Sequence, residues 1–114
     1  MHYQIVHYLT AGKNKDPYIE WLHRLHDNTT KVAVIRRVAR IGQGNFGDHK
    51  YCRKGVRELR IDTGPGYRVY YAVSGHRVVL LCRGDKHTQS TDIHRAIYFW
   101  NDWNQRGSNE KQTK

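Results

Sequence analysis

The segment from Glu58 to Tyr71, ELRIDTGPGYRVYY, places two arginines where they could bind an anion. Its alternating residues flank a Gly-Pro-Gly turn, a pattern that predicts a β-hairpin. If the hairpin closes around Gly64, Arg60 lies directly opposite Arg68. Like charges directly opposed on a sheet are destabilising. Because forked guanidinium donors match phosphate oxygens, this pair predicts a phosphate-binding site.

Three further side chains could complete a site for metal-free RNA cleavage. That reaction needs a base for the ribose 2′-OH, cations for the charge of the transition state, and an acid for the departing 5′ oxygen. Lys86 and His87 follow the last predicted strand, in a loop that could fold over the hairpin, and Tyr70 shares a face with the two arginines. The predicted catalytic set is therefore Arg60, Arg68, Lys86, His87 and Tyr70, with no metal ligands and no cofactor.

Other interpretations of these residues remain open. Glu58 could pair diagonally with Arg68 and neutralise it, and the two arginines could be a solvated face. Cationic side chains elsewhere are candidates for steering RNA or an acidic partner, although the three on one predicted helix also fit a solvated surface. The candidates for RNA binding are Arg36, Arg37, Arg40, Lys50 and Arg83.

Composition limits the class of protein. The chain has 114 residues, enough for one domain, and its 20 lysines and arginines against 10 acidic residues give a net charge of +10. Such a charge indicates a nucleic acid, an anionic surface or an acidic protein as partner. Two cysteines are too few for a disulfide scaffold or a zinc site. With no signal peptide and no apolar run of membrane-spanning length, we predict a cytoplasmic protein without a membrane partner.

The hydrophobic periodicity predicts an α+β fold with the order β-α-α-β-β-β-α. Two helices, one starting at Asp16-Pro17 and one capped by Thr29 or Thr30, should form a hairpin against one face of a small, mostly antiparallel sheet. The opposite face should carry the arginines, and a C-terminal helix should follow. Residues 1–105 are predicted as a single domain and 106–114 as a disordered polar tail. The predicted elements are strands at Tyr3–Thr10, Val56–Asp62, Tyr67–Ser74 and Arg77–Arg83, an irregular glycine-rich segment before the second strand, and a last helix at Gln89–Asn104.

Five segments together resemble the RelE/ParE toxin superfamily, and within it the HigB-like, phage-Gp49-type addiction module killer group. They read GNFGDHK, GVRELRI, GPGYRVYY, VVLLCRGDK and TQSTDIHRA, in this order. The resemblance implies a RelE-like toxin that is held inactive by a cognate antitoxin of the helix-turn-helix type and cleaves mRNA on the translating ribosome. It places functional residues at Arg60, Arg68 and Lys86, and more weakly at Tyr70 and His87.

Three alternatives to a ribonuclease remain. A ParE-like relative would poison DNA gyrase without cleaving RNA. A basic module could bind RNA or the ribosome without chemistry. A decayed toxin could retain only its antitoxin.

Overall fold

The computed structural model describes residues 2–112, and their side chains through residue 107. A five-stranded sheet in the order β1-β5-β4-β3-β2 is covered by three helices. β1 runs parallel to β5, and every other neighbouring pair is antiparallel, which confirms the predicted α+β fold with a mostly antiparallel sheet. The elements are β1 (Gln4–His7), α1 (Pro17–Arg24), α2 (Asn28–Gly42), β2 (His49–Arg53), β3 (Val56–Ile61), β4 (Tyr67–Ser74), β5 (Arg77–Asp85) and α3 (Gln89–Gln112).

The strand β2 lies in the segment that was predicted to be irregular. Its sequence, HKYCR, is polar and mostly exposed, so it lacks the apolar alternation by which a strand is recognised. Its pairing comes from a tight turn to β3, in which Lys54 has a φ of 52° and Gly55 a φ of 87°. Positive φ at both central residues is the requirement of the type I′ turns that join hairpin strands.

The helices α1 and α2 cover one face of the sheet as predicted. Asp16 caps α1 by accepting a hydrogen bond from the Ile19 backbone N–H at 3.0 Å, with Pro17 in the first helical position. The predicted cap of α2 was wrong. Asp27 caps that helix: its carboxylate accepts hydrogen bonds from the Thr29 backbone N–H and from the Thr30 hydroxyl. Because one carboxylate satisfies both threonines, neither of them serves as the cap. The core on this face consists of Tyr18, Trp21, Leu22, Val34, Val38, Ile41, Leu59, Ile61, Val69, Tyr71, Val78 and Leu80.

The opposite face carries the arginines, as predicted, but a helix covers part of it. α3 packs across β4 and β5, and its Ala96 is fully buried there together with Tyr70. Only the part of this face next to β2 and the hairpin turn stays accessible. The physical reason is that β5 is apolar on both sides and requires cover on both.

The helix α3 begins at Gln89 as predicted but continues to Gln112, past the predicted end at Asn104. It therefore enters the stretch 106–114 that was predicted as a tail. Residues 113 and 114 and the side chains of 108–112 lie outside the described part of the chain, and the domain boundary at 105 stays a prediction. Between residues 2 and 112, no helix is both long enough and apolar enough to cross a bilayer.

Candidate functional site

The arginine pair, Arg60 and Arg68, lies directly opposed on β3 and β4, as the sequence predicts. The turn between these strands contains Gly66 with a φ of 79°, a value that few other residues adopt without strain. A Cβ atom at this glycine would lie 3.3 Å from Lys86 Cδ and 3.5 Å from Arg68 Nη1. Lys86 therefore packs over the same turn as the arginine pair, and three cations gather at one end of the hairpin.

Glu58 neutralises part of this charge. Its Oε2 lies 3.0 Å from the Nε of Arg60 and 3.0 Å from the Nε of Arg68, although the Arg68 N–H is not well directed at it. Its Oε1 accepts from Gln89 Nε2 at 2.6 Å and from the thiol of Cys52 at 3.4 Å. The diagonal pairing of Glu58 with Arg68 is thus present, and it holds Arg60 as well. With only 1% of its side chain exposed, Glu58 is an internal counter-charge.

Opposing influences act on the pKa of the Glu58 carboxyl. Burial, the largest of them, raises the pKa, but hydrogen bonds from Arg60, Gln89 and Cys52 and the charge of Arg60 outweigh it, so the pKa lies below its ordinary value. The same hydrogen bond raises the pKa of Arg60. Both groups are therefore charged at neutral pH.

The arginine pair contacts Glu58 through Nε, which leaves the terminal nitrogens for other partners. Each guanidinium meets the carboxylate through Nε, and Arg68 Nη1 donates to the Gly66 carbonyl at 2.9 Å. Nη2 of Arg68 and the terminal nitrogens of Arg60 are the donors that could meet a phosphate, and Arg60 Nη1 also lies 4.0 Å from Oδ1 of the exposed Asp48. Glu58 and the Gly66 carbonyl thus orient both side chains before any anion arrives, which is the preorganisation that anion recognition requires.

His87 lies in a turn held by Asp85. One Asp85 oxygen accepts from the backbone N–H of His87 at 2.7 Å and from that of Thr88 at 3.2 Å, and these bonds lower the pKa of the Asp85 carboxyl. The His87 side chain is exposed, next to Lys86 along the chain. Of the five predicted catalytic side chains, the structure thus brings Arg60, Arg68 and Lys86 together, whereas His87 is exposed in the turn that follows Lys86.

The fifth, Tyr70, is not part of that surface. It pairs directly with Glu58 across the strands but is fully buried beneath α3, and its hydroxyl has no hydrogen-bond partner among the described residues. Burial first of all, with the negative charge of Glu58, raises the pKa of Tyr70 far above its ordinary value. The prediction that Tyr70 is exposed was wrong, because the alternation along β4 does not reveal which stretch of the sheet α3 covers.

The candidates for RNA binding differ in exposure and in their contacts. Arg37 donates to the backbone carbonyls of Arg60, Phe46 and Asp48, so its guanidinium ties the glycine-rich segment to the end of β3. Its location indicates a structural role. Arg83 is half-buried. The remaining candidates are exposed and stay predictions: Arg36, Arg40 and Lys50.

A cleft that the sequence did not predict lies beside the arginine pair, between β2 and the start of α3. This β2–α3 cleft has a volume of about 370 Å³ and is lined by residues 50–53, Glu58, Gln89, Ser90 and Ile93. One of its walls is a strand that the sequence pattern did not reveal. The one available signal was Tyr51, an aromatic residue in a polar segment, which is 55% exposed.

Close packing at Gly84 determines the position of the first turn of α3. A Cβ atom at this residue would lie 2.2 Å from Oδ2 and 2.9 Å from Cβ of Asp92. The Asp92 side chain in turn accepts a hydrogen bond from the hydroxyl of Thr88. Since Gly84 is the partner of Arg68 in the sheet, this contact also places Gln89 within reach of Glu58.

In the described part of the chain, no three His, Cys, Asp or Glu side chains are grouped so that they could hold a metal ion.

The fold and the site define a class: a small, basic α+β protein with an oriented arginine pair at one end of its sheet. The model of the family described as phage derived protein Gp49-like (DUF891) matches residues 20–97, which include α2, all of β2 to β5 and the arginine pair. An uncharacterized protein of Haemophilus influenzae is 48% identical over 77 residues, covering 67% of this chain and 78% of that protein. The chain belongs to the Gp49-like family, which is associated with toxin–antitoxin modules.

Proposed function

We propose that this protein is the toxin of a toxin–antitoxin module, of the RelE-like and HigB-like type, and that it cleaves mRNA on the translating ribosome without a metal ion. The main support is the arginine pair with Lys86 beside it, held in place by the buried carboxylate of Glu58. Three cations against the carboxylates of Glu58 and Asp48 still leave a site of net positive charge, which suits a phosphate that gains negative charge during reaction.

In the proposed reaction the ribose 2′ oxygen attacks the neighbouring phosphorus and the bond to the 5′ oxygen breaks. The products are a 2′,3′-cyclic phosphate and a 5′-hydroxyl end. Arg60 and Arg68 bind the non-bridging oxygens through their terminal nitrogens. Lys86 adds charge stabilisation, and exposed His87 is the candidate for proton transfer, since imidazole is the side chain that most often serves as a general acid or base.

The proposed partner is a cognate antitoxin of the helix-turn-helix type. α2 has two exposed apolar side chains, Val32 and Ile35, followed by the exposed Arg36 and Arg40. An amphipathic helix with acidic residues would complement this surface. An acidic segment of the same antitoxin could cover the arginine pair in the resting complex.

One observation favours a second candidate, a toxin that binds its target without cleaving RNA. The burial of Tyr70 removes one of the five predicted catalytic residues from the surface. A ParE-like gyrase poison, or a module that only binds RNA or the ribosome, does not need a complete catalytic set.

Induced expression in bacteria separates these candidates. Wild type is compared with Arg68→Ala and with Arg24→Ala, a control that removes an exposed arginine from the end of α1. For a ribonuclease we expect wild type and the control to stop growth and to create new mRNA ends within reading frames, and Arg68→Ala to do neither. Growth arrest with intact mRNA would refute the cleavage mechanism, and gyrase would be assayed next.

A folding defect in Arg68→Ala must be told apart from loss of function. Arg68→Lys retains the charge but not the forked donors, so it should bind RNA while cleaving more slowly. Thermal unfolding of each purified variant shows whether the fold is retained.

A further inference from the structure

We propose that Asp48 is the general base of the RNA cleavage described above, whose carboxylate accepts the proton of the attacking ribose 2′-OH. This inference rests on the proposed function and adds a catalytic residue to it. Its basis is that Asp48 Oδ1 lies 4.0 Å from Nη1 of Arg60, one of the nitrogens that would bind the phosphate. A positioned general base typically accelerates a reaction by about 10²–10⁴-fold.

Asp48 stands just before β2, at the end of a row of residues that crosses the sheet. The Arg60 backbone N–H donates to the Asp48 carbonyl at 2.9 Å, Arg60 pairs with Arg68, and Arg68 pairs with Gly84. Because directly opposed residues carry their side chains on the same face, the Asp48 carboxylate and both guanidiniums share one face. Neighbouring strands lie about 4.8 Å apart, so Asp48 flanks the arginine pair on the β2 side.

The backbone of Asp48 is anchored, whereas its carboxylate is open to solvent. Its carbonyl accepts a hydrogen bond from Arg37 Nη2 at 3.1 Å in addition to the one from the Arg60 backbone. The side chain is 64% exposed, and a separation of 4.0 Å from Arg60 Nη1 is too long for a hydrogen bond. The carboxylate oxygens therefore remain available to a hydroxyl of the substrate.

The other carboxylate at the arginine pair, Glu58, cannot act as this base. Its side chain is only 1% exposed, and its two oxygens already contact Arg60, Arg68, Gln89 and Cys52. A ribose hydroxyl would have to displace these contacts to reach it. Of the two carboxylates that contact the arginine pair in the described part of the chain, Asp48 is the one that a substrate can approach.

His87 lies beyond the other end of the arginine pair. In the strand order, β2 and β3 lie on one side of β4 and β5 on the other, and His87 follows the end of β5. During displacement at phosphorus, the attacking and the departing oxygen lie roughly in line, on opposite sides of the phosphorus atom. A base next to Arg60 and an acid beyond Arg68 match the two ends of that line.

These two groups complete the proton balance of the reaction. Asp48 takes the proton of the 2′-OH while the 2′ oxygen forms its bond to phosphorus. The bond from phosphorus to the 5′ oxygen breaks, and this oxygen receives a proton from the protonated imidazole of His87. Proton exchange with water then returns both side chains to their starting states.

The test is single-turnover cleavage of an mRNA on bacterial ribosomes, at a site that the wild-type protein cuts. Asp48→Asn should lower the rate at saturating protein by at least about 100-fold, whereas Asp48→Glu, which retains a carboxylate, should stay within about tenfold of wild type. Asp62→Asn is the matched control, because it removes the same charge from an exposed residue at the end of β3. It should cleave like wild type.

Two further measurements separate proton transfer from a role in folding or binding. Asp48→Asn should bind an mRNA with a 2′-deoxy nucleotide at the cleavage site as tightly as wild type or more tightly, because a negative charge beside the phosphate is removed. An mRNA whose departing 5′ oxygen is replaced by sulfur needs no acid, because a thiolate leaves without a proton. It should restore the rate of His87→Ala but not that of Asp48→Asn.

Cleavage by Asp48→Asn at the wild-type rate would refute the assignment of the base, while the proposed ribonuclease stands. The same conclusion follows if this variant binds the 2′-deoxy mRNA weakly, or if the sulfur substitution restores its rate. If the wild-type protein cleaves no mRNA on ribosomes, the proposed function fails and this inference fails with it.

Discussion

Replacing Glu58 by glutamine should destabilise the fold, because this carboxylate is the counter-charge of two arginines. Its Oε2 lies 3.0 Å from the Nε of Arg60 and 3.0 Å from the Nε of Arg68. Glutamine has nearly the same shape but no charge. Its amide presents either a neutral oxygen or an N–H group to the two guanidiniums. A hydrogen bond to a charged group contributes about 1.5–3 kcal/mol, against about 0.5–1.5 kcal/mol between neutral groups.

The two arginines would not be affected equally. The Arg60 side chain is 35% exposed, so water can replace part of what it loses, whereas Arg68 is only 15% exposed and would be left poorly compensated. Together these losses should lower the free energy of unfolding by about 3 kcal/mol at pH 7. For a chain of 114 residues, this corresponds to a Tm lower by about 10 °C.

The effect should depend on pH in a defined direction. The pKa of Glu58 is lowered in the folded protein, since the bonds from Arg60, Gln89 and Cys52 outweigh the larger single influence of burial. In the unfolded chain a glutamate has a pKa of about 4.3. The stabilisation is fully present above that value and is lost as the pH falls through the lower pKa of the folded state. The difference between wild type and Glu58→Gln should therefore be constant from pH 7 to about 5 and shrink below about 4.

Urea unfolding of the purified proteins at pH 7, 5 and 3.5 measures this difference. Asp62→Asn is the control, because it removes an exposed carboxylate at the end of β3 and should change the free energy of unfolding by less than about 0.5 kcal/mol. A loss below about 1 kcal/mol for Glu58→Gln at pH 7 would show that Glu58 is not the counter-charge described. A loss that stays the same down to pH 3.5 would show that it does not arise from the ionised carboxylate.

Three further substitutions test the packing around the site. Tyr70→Phe removes a buried hydroxyl that has no partner among the described residues, so thermal unfolding should show equal or slightly higher stability, and retained toxicity would confirm that Tyr70 takes no part in chemistry. Gly84→Ala drives a Cβ atom into Asp92 and should reduce the free energy of unfolding by about 2 kcal/mol in urea, whereas Gly107→Ala, with open space around it, should be neutral or stabilising. Arg37→Lys retains the charge but loses bonds to three backbone carbonyls; a drop in Tm with unchanged salt dependence of RNA binding is expected, and the reverse result would make Arg37 an RNA contact.

Local sequence signals predicted the hairpin that carries the arginine pair. The alternating residues on both sides of the Gly-Pro-Gly turn are compatible with one pairing register. Because side chains alternate between the two faces of a strand, that register determines which residues share a face. The start of α1 at Asp16-Pro17 was predicted for a similar reason, because the cap and the proline act on the next turn of the chain alone. These features depend on contacts between near neighbours in sequence.

The candidate site as a whole depends on contacts between distant residues. β2 is polar and has no apolar alternation, so only its pairing with β3 reveals it, and the cleft beside it was missed with it. The sequence predicted that Tyr70 is exposed, but it is buried because α3 crosses β4. The position of Gln89 against Glu58, 31 residues earlier, follows from the packing of Asp92 on Gly84. Periodicity tells which residues share a face, but which other element covers that face is decided by the packing of the complete chain.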